Sequence, residues 1–134
     1  MAIISTEGLA EAQEPQTLPS GTEVELQILS YEERESDSGG YAMVRLGIIN
    51  HPLSEFLRDI TYNVWEPRED STPKQKNAAK WRKREFLEAF GMSITDDDFD
   101  SNELIGRTTF AAINETDSPE YGKQNNVRKW MRQS

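Results

Sequence analysis

Thr72-Pro73-Lys74-Gln75-Lys76-Asn77-Ala78-Ala79-Lys80-Trp81-Arg82-Lys83-Arg84-Glu85-Phe86-Leu87-Glu88-Ala89-Phe90-Gly91 decides the fold. Thr72 can cap a helix, Pro73 suits the first helical position, and Gln75 stands where a capping box places Glu or Gln. Gly91 suits the position just past the last turn. The spacing predicts one helix from Pro73 to Phe90. At about 100° per residue, Ala79, Phe86 and Phe90 share a face flanked by Ala78, Leu87 and Ala89, which is a core-facing stripe.

Strand signals lie on both sides of this helix. In Thr22-Glu23-Val24-Glu25-Leu26-Gln27-Ile28 the apolar residues alternate with polar ones, the period of a half-buried strand. Ala42, Val44, Leu46 and Ile48 alternate with Tyr41, Met43, Arg45 and Gly47 in a second strand. Ile60, Tyr62 and Val64 alternate with Thr61, Asn63 and Trp65 in a third. Glu32 to Gly40 is charged and reads as a loop. After the helix, Arg107 to Asn114 and Asn126 to Met131 read as strands, with Asn114 to Asn125 as a long polar loop between them. Five strands with one helix between the third and fourth is the order of a mainly β, five-stranded OB-fold barrel. Residues 1–20, rich in Glu, Gln, Thr and Pro, read as a flexible N-terminal arm, and residues 21–134 as the domain.

The chain has 134 residues, enough for one domain. It has no cysteine, which excludes disulfides, thiolate zinc sites and cysteine nucleophiles. Its single histidine, His51, lies in an Asn-His-Pro turn, so a histidine-rich metal site is excluded as well. No phosphate-binding glycine loop, HExxH motif or nucleophile elbow is present. Asp96-Asp97-Asp98-Phe99-Asp100 fails as an EF-hand loop, because Ser101 and Arg107 stand where Gly and Glu are required. A non-enzymatic protein without cofactor or metal is expected. Nothing reads as a secretory signal or a membrane span, so a soluble intracellular protein is expected.

The net charge of −9 argues against a nucleic-acid partner, but the charges are segregated. Residues 1–73 hold 4 basic and 14 acidic side chains; residues 74–134 hold 11 basic and 10 acidic. Lys74 to Arg84 contains six basic residues and no acid. Trp81 lies opposite the apolar helix face, beside Lys74, Asn77 and Arg84. Such a residue either serves as an aromatic platform in a basic groove or packs under a loop such as the N-terminal arm. Strand parity turns Tyr41, Arg45 and Trp65 outward, onto the strand 2–3 face with which OB folds bind oligonucleotides. Tyr121, Lys123, Arg128, Lys129 and Trp130 form a second basic and aromatic cluster. Single-stranded nucleic acid is bound by this combination: bases stack on aromatic rings, and Lys and Arg meet phosphates.

Four segments together resemble a known family. They are Leu18-Pro19-Ser20-Gly21, Lys80 to Gly91 with its Phe-Leu-Glu-Ala-Phe-Gly ending, Glu103-Leu104-Ile105-Gly106-Arg107, and Glu120-Tyr121-Gly122-Lys123-Gln124-Asn125-Asn126-Val127. In order and spacing they look like a family of small bacteriophage proteins, formerly a domain of unknown function, regarded as OB-fold single-stranded-DNA-binding proteins. The resemblance covers about residues 18 to 131. It implies binding of single-stranded DNA with little sequence preference in phage replication and recombination, in the cytoplasm of an infected bacterium, alongside phage or host replication proteins. Proteins of this function commonly end in an acidic tail, whereas this chain ends in the basic Arg128-Lys129-Trp130-Met131-Arg132-Gln133-Ser134. The net negative charge supports a rival class, an OB-fold protein–protein adaptor. A metal-dependent nuclease built on Asp and Glu is the third.

Overall fold

The computed structural model describes residues 3–37, 39–94 and 99–131. It contains β1 (Thr22–Ser36), β2 (Gly39–Ile49), β3 (Ile60–Trp65), one α-helix, α1 (Pro73–Ala89), β4 (Thr108–Ser118) and β5 (Gly122–Met131), with three short 3-10 turns. The strands form one antiparallel sheet in the order β3-β2-β1-β4-β5. The protein is thus mainly β, with one helix between the third and fourth strands. The sheet is not closed into a barrel: β3 and β5 are its edges, close to each other but without a hydrogen-bonded ladder.

Two elements fill the space between those edges. At one end lie residues read from sequence as the end of the arm. The Gln16 backbone accepts from the Arg58 amide at 2.9 Å and donates to the Phe56 carbonyl at 2.7 Å. Leu18 is buried, and its backbone is held on both sides by buried Asn125: its amide donates to Asn125 Oδ1 at 2.8 Å, and its carbonyl accepts from Asn125 Nδ2 at 2.8 Å. At the other end α1 packs against β3 and β5.

Helix α1 forms as its caps dictate. The Thr72 hydroxyl accepts from the Gln75 amide at 3.2 Å, and Gln75 Oε1 accepts from the Thr72 amide at 2.9 Å. At the far end Gly91 takes the left-handed conformation, φ 77°. The Met92 amide reaches the Leu87 carbonyl at 2.9 Å and the Gly91 amide the Glu88 carbonyl at 3.0 Å, a Schellman closure with Met92 and Leu87 both buried. Arg107 adds a cation there, donating from Nη1 to the Phe90 carbonyl at 3.2 Å. The Leu-Ile-Gly-Arg segment therefore has a structural task, since Leu104 is fully buried and Arg107 holds the helix end.

Val24, Leu26, Ile28, Val44, Leu46, Ile60, Ala111 and Ile113 alternate into the core, where Phe86 and Phe90 of α1 meet them. Two sequence-based boundaries are corrected. Glu32 to Gly40 is not a loop but most of a β-hairpin: β1 continues to Ser36, and β2 begins at Gly39. Asn114 to Asn125 is likewise paired, with β4 running to Ser118 and β5 starting at Gly122. Both hairpins carry polar residues beyond the core, so cross-strand hydrogen bonds continue there without apolar alternation. A bulge between Ile28 and Ser30 shifts β1 by one residue. It folds Leu29 over Gly47, where a β-carbon would lie 3.1 Å from Leu29 Cδ1, so glycine makes room for the bulge.

Candidate functional site

Strand register builds the site row by row. Tyr41 pairs with Trp65 on one side and Arg34 on the other; Met43 with Asn63 and Glu32; Arg45 with Thr61 and Ser30. Cross-strand partners share a face, and Ala42, Val44 and Leu46 between them are buried, so all three rows lie on the outer face. The Tyr41 and Trp65 ring centroids are 4.6 Å apart with their planes 34° from parallel, and Trp65 keeps 40% of its surface exposed. Arg34 and Arg45 are exposed on the same face. Arg34 is bound to Glu32 at 3.0 Å, which raises its pKa further; the nearby Tyr41 contributes less.

The face runs between the two hairpin tips. Tyr41 and Trp65 lie near the β1–β2 turn. At the opposite end of β3 Arg58 donates to the Tyr121 carbonyl in the β4–β5 turn at 3.2 Å, and the Tyr121 ring is exposed. Lys123, one residue into β5, is exposed, 3.9 Å from Glu115. From Tyr41 to Arg45 the strand covers roughly 14 Å. Such a strip offers flat rings for stacking and guanidinium groups for anions, with little enclosure.

Other residues expected at the site lie elsewhere. Trp81 is half exposed on α1; Arg84 Cζ sits 5.3 Å from its ring centroid and Arg84 Nε is 2.9 Å from Glu88. That is a separate platform: its ring lies against the Arg84 guanidinium, not against Tyr41 or Trp65. Lys74 is exposed in the first turn of the same helix. Lys83 instead pairs with Glu66, just after Trp65, tying α1 to the end of β3. Arg128 is the extra residue of a bulge in β5, and Lys129 is exposed beside it. Trp130 faces inward. It is half-buried against the core, its ring 5.1 Å from Tyr62, 5.4 Å from Phe90 and 5.8 Å from Phe86.

Sequence reading missed Arg34 and Arg58. Arg34 lay in a segment read as loop, where no apolar period announces a strand; the hairpin places it beside Tyr41. Arg58 carries no local motif, and only its contact with the β4–β5 turn brings it to the face. Asp96, Asp97 and Asp98 lie outside the described residues. Among those described, no three Asp, Glu or His side chains converge as metal donors, and no helix is long and apolar enough to cross a membrane. Set beside known proteins, the chain matches no family model, and it matches no curated protein.

Proposed function

We propose that the protein is a non-catalytic OB-type module that binds single-stranded DNA with little sequence preference on the outer face of β2 and β3. The observation that carries this reading is the Tyr41–Trp65 pair, half-buried Tyr41 beside exposed Trp65, with Arg34 and Arg45 on the same face. Stacking on such rings tolerates any base, because every base has a π-face, and guanidinium groups meet the phosphates. Arg58 and Tyr121 extend the strip toward the β4–β5 turn, and Trp81 with Arg84 and Lys74 forms a second platform on α1. The strand order supports the fold assignment, since it is that of a five-stranded Greek-key barrel opened between β3 and β5. The resemblance to phage single-stranded-DNA-binding proteins points the same way, and it would imply work in the cytoplasm of an infected bacterium alongside replication or recombination proteins. Net charge −9 does not prevent binding, because exposed charges farther than about 10 Å are screened at ~0.1 M salt.

A fluorescence titration with an oligothymidylate, its duplex and the RNA equivalent tests this reading. Tryptophan emission is expected to quench with the single strand and far less with the duplex. If Arg34, Arg45 and Arg58 each neutralise one phosphate, log affinity falls against log salt with a slope near −2, at roughly −0.7 per phosphate. Absence of quenching and binding at low salt leaves the protein–protein adaptor.

A further inference from the structure

The outer face of β1, β4 and β5 carries a charge pattern that the single-strand strip does not use. Glu23 pairs with Ala112, and Ala112 with Lys129; one row along, Glu25 pairs with Phe110, and Phe110 with Met131. Their neighbours Val24, Ala111 and Ile113 point into the core, so these six side chains stand outward. Phe110 keeps 42% of its surface exposed in the middle of the sheet. Acid therefore lies on β1, base on β5, and a small and a large apolar residue on β4 between them. Glu25 is bound by Asn50 Nδ2. Among the described residues, Glu23 and Lys129 enter no ion pair.

We propose that this face is a two-fold dimer interface whose occupant is a second copy of the chain. Place a two-fold axis along β4, between two sheets stacked face to face. Each β1 then lies over the partner's β5, and residues at one height stay at that height. Glu23 meets the partner's Lys129, Lys129 meets the partner's Glu23, and Phe110 meets the partner's Phe110. An isologous contact requires such a self-complementary pattern. Ala112, at the same height as the ion pairs, lets the sheets approach to the ordinary ~10 Å of stacked sheets, where the two Phe110 rings fill the gap. The patch measures roughly 15 by 10 Å from strand spacing and rise, well below the ~800 Å² per partner of a stable interface. The dimer is thus dissociable, and salt weakens it. Tyr41, Trp65, Arg34 and Arg45 lie on other strands or beyond this patch and stay open, so dimerisation does not depend on the single-strand reading.

Sedimentation equilibrium of the full chain at low salt tests the proposal. Apparent mass is expected to rise from the 15.3 kDa of one chain toward twice that value, with a midpoint of roughly 10–100 µM for so small a patch. Glu23→Lys and Lys129→Glu each place like charges in both contacts and are expected to weaken the dimer about tenfold or more. Mixing the two variants, or combining both changes in one chain, restores opposite charges and hence the dimer. Phe110→Lys is expected to leave a monomer, with circular dichroism as the folding control; the charge swaps stand alone if that variant does not fold. A monomer at every concentration overturns the proposal. So does a dimer that the single charge reversals leave unchanged, or one that the double swap does not restore.

Discussion

Two Tyr–Trp pairs sit on opposite faces of the same sheet. Tyr41 and Trp65 meet, tilted 34° from parallel, on the outer face of β2 and β3 with centroids 4.6 Å apart; Tyr62 and Trp130 meet on the inner face at 5.1 Å, edge to face, with Phe86 against both and Phe90 against Trp130. The ring chemistry is the same, and the face each pair occupies, set by strand parity and by the β5 bulge at Arg128, separates their surroundings. Tyr62 and Trp65 belong to one six-residue strand, three positions apart, and so point to opposite faces. A shift of one register position would exchange the groups. Aromatic composition therefore says little about function until the face is known.

The largest expected contrast is in stability. Trp130→Ala removes the ring that joins β5 to α1 and β3, and it should cost about 3–5 kcal/mol. Trp65→Ala removes one stacked, part-exposed ring and should cost under about 1 kcal/mol. Urea unfolding of both variants measures the gap, and equal losses would erase the distinction between the faces.

Asn125 is the polar counterpart of Trp130 on the inner side of β5, and its effect should be next in size. Its side chain satisfies the Leu18 amide and carbonyl and also donates to the Asn114 carbonyl at 3.2 Å. Asn125→Ala strands buried backbone groups at roughly 1–3 kcal/mol. It should also raise amide exchange at Leu18 ahead of the strands, which hydrogen exchange reads directly.

The smallest expected effect is a pH dependence confined to the inner face. Burial pushes the Tyr62 phenol above its usual 10.0; the Trp130 hydrogen bond opposes this, and Glu85 adds to it. Tyr31 moves the same way, through burial first and then Glu33 and Glu66. The folded state thus holds these protons more tightly than the unfolded chain. The associated stability is complete below the ordinary value of 10.0 and is lost as pH rises through the higher folded value. The urea midpoint should fall above about pH 10, and less steeply in Tyr62→Phe.

How much of this was legible in the sequence follows from where apolar alternation exists. Val24-Leu26-Ile28 and Ala42-Val44-Leu46-Ile48 face a core, so their period and their outward partners Tyr41, Arg45 and Trp65 could be read directly. The helix was readable at both ends because caps are local: Thr72, Pro73, Gln75 and Gly91 act within one turn. The outer hairpins were not readable, since Glu32 to Ser36 and Thr116 to Ser118 touch solvent and need no hydrophobic period. Arg34 was lost for that reason. Trp130 stands among basic residues in the sequence and so read as one of their cluster, but the bulge at Arg128 resets the parity of β5 and turns its ring toward the core. Closure into a barrel was expected from strand order, but hydrogen bonds between β3 and β5 depend on long-range geometry that order does not specify.

The most direct measurement is binding of a single-stranded oligothymidylate to Trp65→Ala and Trp130→Phe side by side, each shown to be folded by circular dichroism. Trp65→Ala should lose ~1–3 kcal/mol of binding, the range for one stacked base, while Trp130→Phe keeps the affinity of the parent chain. A folded Trp65→Ala that binds as tightly as the parent would contradict the assignment of the outer β2–β3 face as the single-strand site.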